Sequence, residues 1–140
     1  MATGPALRKV TSHRSIHDGA WAEARDLTLV VEKLYHDDRQ EECLKAANML
    51  IDHWEKRVIA HADAEEEGLY QEILRENAHM EKDIHMLTRD HDLLRVIVNQ
   101  INTELKQSDT VTKDIINQCH ALLIVNEIHS RSEENKLLED

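Results

Sequence analysis

Residues 61–70 read HADAEEEGLY, and residues 129–138 read HSRSEENKLL. In each, a histidine is followed after three residues by a Glu-Glu doublet, and a leucine stands four positions beyond the first glutamate. A spacing of four puts two side chains on one face of an α-helix, one turn apart. His61 with Glu65, and His129 with Glu133, are therefore imidazole–carboxylate pairs set into stripes that otherwise read as buried helix.

The stripes extend outward from these pairs. Cys43, Ala46, Ala47, Leu50, Trp54 and Val58 lead into His61, Glu65 and Leu69; Ile115, Cys119, Leu122 and Asn126 lead into His129, Glu133 and Leu137. Between them, Ile84, Leu87, His91, Leu94, Val98, Ile101 and Leu105 alternate by three and four, the period of an amphipathic helix. A fourth stripe runs His17, Ala20, Trp21, Ala24, Leu27, Val31, Leu34. Polar stretches separate them: HDDRQEE, where Asp38 and Glu41 have capping-box spacing, RENAHMEK, and KQSDTVTKD, with Ser108, Asp109 and Thr110 as candidate caps. Gly68 is placed to fray or bend the second helix. The expected fold is all-α, an up-down-up-down four-helix bundle over residues 13–140, preceded by a flexible N-terminal arm over 1–12.

Composition agrees. A chain of 140 residues with three Gly, one Pro and no Phe suits one helical domain and is poor for sheets. A net charge of −11 repels phosphate backbones, which excludes nucleic acid as an expected partner. No signal-peptide pattern opens the sequence, and the longest apolar runs, LTLVV and ALLIV, are too short to cross a bilayer; the expected compartment is the cytoplasm, without membrane contact. Cys43 and Cys119 form no Cys-x-x-Cys and are expected to be buried and reduced. Ten histidines are the outlier.

Each stripe holds one histidine where an apolar residue is expected: His17, His61, His91 and His129. In an antiparallel hairpin, two residues share a height when the midpoint of their numbers falls in the turn. The midpoints of successive pairs are 39, 76 and 110, each inside one of the polar stretches. The four imidazoles are thus expected in one layer, with Glu65 and Glu133 facing each other beside it. Two unpartnered buried carboxylates would be costly. Metal ions resolve this by supplying positive charge to all six donors. Nitrogen and carboxylate donors suit iron, manganese or zinc, and six are too many for one tetrahedral zinc. They fit two ions, each with two imidazoles and both carboxylates bridging, with room for an oxo or hydroxo bridge and an exogenous ligand.

His17 in SIHDGAW, His61 and Glu65 in HADAEE, His91 in RDHDLL, and His129 and Glu133 in HSRSEE together resemble the hemerythrin-like, or HHE cation-binding, family over residues 13–140. The resemblance implies two non-haem iron ions at a four-histidine, two-glutamate centre that binds or reacts with dioxygen, nitric oxide or peroxide. Oxygen-carrying members have a fifth histidine one turn from the third-helix ligand. Here those positions are Leu87 and Arg95, which argues against reversible oxygen carriage. The four-histidine set looks more like di-iron proteins linked to iron–sulfur cluster repair, but their N-terminal cysteine-containing region has no counterpart. Alternatives are a ferroxidase or catalase-like enzyme, a structural or iron-storage bundle, and a haem held between facing histidines. The oligomeric state stays open.

The remaining polar residues read as ordinary. Glu66 and Glu134 lie 100° further round their helices and read as surface charges. Asp18, Asp90 and Asp92 adjoin candidate ligands but read as surface, although one could orient an imidazole. His53 reads as core or boundary, His85 and His120 as exposed, and His13, His36 and His79 as lying at ends or in loops. Trp21 and Trp54 read as core packing. Tyr70 sits at the Glu65 end, with the mouth of the site in reach.

Overall fold

The structure, a computed structural model, describes residues 9–138. Residues 1–8 of the expected arm lie outside them; among the described residues the first helix begins at Val10, within that arm. The described residues are all-α and form four helical spans. The first is α1 (Val10–His36). The second is assembled from α2 (Gln40–His53), a π-helical turn (Trp54–Ile59), α3 (Ala60–Glu67) and α4 (Leu69–Glu76). A 3-10 turn (Ala78–Met80) leads to α5 (Glu81–Ser108), and α6 (Lys113–Leu137) closes the fold. No helix of the described residues is long and apolar enough to cross a membrane.

The breaks fall where expected, but through different residues. Asp38 does not cap α2: the N-cap is Arg39, whose side chain makes no capping bond and pairs with Glu42, while Asp38 adopts φ 58° and turns the chain after α1. Asp109 does the same after α5 at φ 52°. Aspartate tolerates this left-handed conformation better than most residues because its short polar side chain bonds locally. The cap of α6 is Thr112, whose hydroxyl accepts from the Ile115 N–H at 3.2 Å, not Ser108, Asp109 or Thr110. Gly68 breaks the second span at φ −111°, ψ −84°.

α1 packs on α2 and α6, and α5 packs on α6 and touches the π-helical turn. The apolar core has two parts. A large cluster includes Ala24, Leu50, Trp54, Leu94, Ile101, Ile115 and Leu122. A smaller one comprises Leu69, Tyr70, Ile73, Ile84, Leu87 and Leu137. Along the second, third and fourth spans the site histidines and glutamates fall between the two sets; α1 contributes only to the larger one. Cys43 and Cys119 are free and buried, as expected. Cys43 Sγ donates to Val31 O at 3.3 Å, and burial next to Cys43 pushes the Cys119 thiol up to about 12.

Candidate metal centre

His17, His61, His91, His129, Glu65 and Glu133 converge in one buried layer, each under a tenth exposed. A seventh residue joins them. His13, expected at a loose end, stands one α1 turn before His17 and is 0% exposed. Two groups of donor atoms result, each within 4.8 Å of one another: His13, His17, His61, Glu65 and Glu133 in one, and His91, His129, Glu65 and Glu133 in the other.

The glutamates belong to both groups because each divides its oxygens between them. Glu65 Oε2 lies 2.9 Å from His13 Nε2 and 3.3 Å from His61 Nε2, while its Oε1 lies 3.3 Å from His91 Nε2. Glu133 Oε1 lies 2.8 Å from His13 Nε2 and 3.2 Å from His17 Nε2, and its Oε2 lies 3.4 Å from His129 Nε2. Tyr70, 1% exposed, donates its hydroxyl to Glu133 Oε2 and stacks on His91 with centroids 5.7 Å apart and planes at 4°.

Behind the imidazoles stands a second set of carboxylates. His17 Nδ1 donates to Glu134 at 2.7 Å, His91 Nδ1 to Glu66 at 2.7 Å, and His129 Nδ1 to Asp90 at 2.9 Å. Such a partner fixes the proton on Nδ1 and leaves the Nε2 lone pair aimed inward. The surface reading of Glu134 is therefore corrected. It is 2% exposed, with Arg14 at 2.8 Å and Arg131 at 3.2 Å as its countercharges. Glu66 is partly buried and paired to Arg95 at 2.6 Å. The 100° offset from the first glutamate of each doublet turns the second toward the neighbouring helix, not toward solvent. Of the aspartates, Asp90 does orient an imidazole, whereas Asp18 and Asp92 pair with Arg131 and Arg95.

These contacts decide the charge of the centre. Burial would raise both glutamates, and the charge of Glu133 raises Glu65 further, but bonds with His13 and His61 hold Glu65 below the usual carboxylate range, and bonds with Glu65, His129, His13 and His17 hold Glu133 well below it. Burial would lower His13 and His129. For His13 the bonds and charges of Glu133 and Glu65 outweigh it, raising the imidazole to about 10; for His129, Asp90 and Glu133 do so, raising it to about 9. Burial and the charges of Glu133 and Glu65 push the Tyr70 phenol well above its ordinary value, so it stays a donor.

Protons alone do not satisfy this set. His13 Nε2 faces Glu65, Glu133 and also His61 Nε2 at 3.2 Å, yet carries at most one hydrogen. Glu65 Oε2 and Glu133 Oε1 are buried without a well-aligned hydrogen bond. Nine converging donor positions, five on one side and four on the other, with carboxylates common to both, fit a pair of cations. Against the four imidazoles and Glu65 lies a cavity of about 20 Å³, also bordered by Ile16, Ala20, Arg57, Val58, Leu94 and Asn126.

His13 was within reach of sequence reasoning: its midpoint with Glu65 is 39, the midpoint that paired His17 with His61. Comparison with known proteins returns no match: no family model, no curated protein and no solved structure corresponds to this chain.

Proposed function

We propose that this chain is a hemerythrin-like di-iron protein, an up-down-up-down bundle that binds or reacts with a small oxidant. The observation that carries the reading is the division of each glutamate's oxygens between two imidazole groups, the arrangement a bridged pair of ions requires. His13, His17 and His61 would hold one ion, His91 and His129 the other, with Glu65 and Glu133 common to both. Bound iron would supply a redox-active Lewis acid for dioxygen, nitric oxide or peroxide.

The protein's own part is specific. Glu134, Glu66 and Asp90 keep three imidazoles in the tautomer that presents Nε2. Tyr70 keeps its own proton and donates it in a hydrogen bond to Glu133 Oε2. The apolar layer at Ala20, Val58 and Leu94 limits access to very small molecules. The side with His91 and His129 has fewer protein donors than the other and is the natural place for an exogenous ligand. The fifth imidazole that the sequence resemblance lacked on the third helix is supplied here by His13 on α1, which weakens the objection to reversible binding. A haem is disfavoured: facing Nε2 atoms 3.0 and 3.2 Å apart leave no slot for a porphyrin.

Metal analysis of the purified protein tests the reading, with two irons per chain as the expected result; no metal, or a single zinc, would overturn it. Anaerobic mixing of the reduced protein with dioxygen, nitric oxide or peroxide then separates the functions. A reversible adduct marks a binder or sensor, repeated turnover an enzyme, and no spectral response a structural or storage protein.

A further inference from the structure

Besides the imidazoles and Glu65, the small cavity is lined by Ile16, Ala20, Val58 and Leu94 and by two polar side chains, Arg57, which pairs with Glu23 at 3.2 Å, and Asn126. Its side chain is 5% exposed and has no hydrogen-bond partner among the described residues. Thr28 and His53 are paired, Thr28 donating to Ala24 O at 2.7 Å and His53 Nε2 to Ala20 O at 2.8 Å, whereas at the cavity wall His61 Nδ1 and Glu65 Oε2 are also without a hydrogen bond. A buried amide without a partner is unfavourable, and a leucine here would complete the apolar layer without that cost. The cavity holds about 20 Å³, room for a molecule on the scale of one water.

We propose that Asn126 is the hydrogen-bonding anchor for the small molecule this centre binds: a ligand of two or three heavy atoms whose acceptor end alone occupies this cavity against the carboxamide, the rest lying at the metal centre. This rests on the di-metal reading. The amide offers two donors and an acceptor and does not titrate, so it selects for polarity independently of pH. It also receives the oxygen-bound hydrogen of a peroxidic ligand through its Oδ1. An apolar gas of equal size gains nothing from it, so the residue sets discrimination among ligands and not the holding of the metal.

Azide is the probe. The iron-loaded, oxidised protein is titrated with azide, following visible absorption and the infrared stretch of the bound anion, in the parent, Asn126→Ala and Asn126→Leu chains. All three are expected to hold equal iron. Both variants should bind azide about tenfold more weakly, the loss of one hydrogen bond at about 1.4 kcal/mol per decade, with the stretch shifted in Asn126→Ala. Affinity within twofold of the parent in Asn126→Ala overturns the proposal, as does weakening confined to Asn126→Leu, which would be steric exclusion alone. Iron loss in both variants overturns it too, since the residue would then shape the centre. A parent chain that takes up no iron sinks the di-metal reading, whereas full iron with unaltered azide binding sinks only the role of Asn126.

Discussion

His91 and His129 turn their Nε2 atoms toward each other at 3.0 Å, while Glu66 and Asp90 hold their Nδ1 atoms from behind at 2.7 and 2.9 Å. With both Nδ1 positions donating, the two inner lone pairs repel unless a proton or a cation lies between them. Either the pair is protonated, or it is liganded.

The outer carboxylates should therefore govern metal affinity without touching metal. Glu134→Ala and Asp90→Ala are each expected to lower it by about 10- to 100-fold, with helical content unchanged. Chelator competition measures the affinity and circular dichroism the fold. Affinity equal to the parent in both would remove any orienting role.

The inner residues differ in weight. Glu133→Ala removes a donor from both groups and the acceptor of Tyr70, so iron should fall well below two per chain; His61→Ala should act in the same direction. His13→Ala still leaves four donors on its side, as many as the other side has, so it should keep two irons but hold one more loosely. Elemental analysis before and after mild chelation distinguishes the cases.

Acidity should act oppositely on the metal-free and loaded proteins. Imidazoles raised to about 10 in His13 and about 9 in His129 mean that the folded chain binds more protons than the unfolded one. Their stabilising contribution is complete below about pH 6.5 and vanishes as pH rises through those values. The lowered carboxyls of Glu65 and Glu133 contribute above about pH 4.3 and are lost as pH falls through their folded values. Metal-free protein should thus show a higher urea midpoint at pH 6 than at pH 9. Loaded protein should not lose stability over that interval, because deprotonated ligands hold the ions. Equal metal-free midpoints at the two pH values would contradict the assignment.

Tyr70→Phe keeps the stacking on His91 and deletes the hydroxyl on Glu133. A hydrogen bond to a charged buried group is worth about 1.5–3 kcal/mol, so the metal-free variant should be destabilised by about that much. Chemical denaturation reads it; a change below about 0.5 kcal/mol would place the phenol outside the network.

Much of the centre was legible because helical period and turn position are both written in residue numbers. Those two quantities put His17, His61, His91 and His129 at one height and Glu65 and Glu133 one turn away. His13 escaped although it obeys the same arithmetic, because α1 starts without a signal: Lys9 caps nothing and the first turn has no acidic residue. Glu134 and Glu66 escaped for another reason. Angular offset shows which way a side chain leaves its helix, but not whether water or another helix stands there. Arg14, Arg95 and Arg131, which make burial of these carboxylates tolerable, come from three different helical spans and carry no pattern linking them. The turn residues were misassigned because Asp serves equally as a cap and as a left-handed link, and side-chain chemistry alone does not choose between them.

The polar layer that splits the apolar core also divides the molecule's resistance to opening. The six buried side chains around Leu69 and Leu87 are too few to hold their end of the bundle alone, and the cations would be the rivets joining it to the rest. Escape of metal and fraying of that end then become a single event. Amide exchange in α4 should accelerate on demetallation far more than in α2, and the lifetime of the loaded state should follow the rate of that local breathing rather than bond strength at the ions.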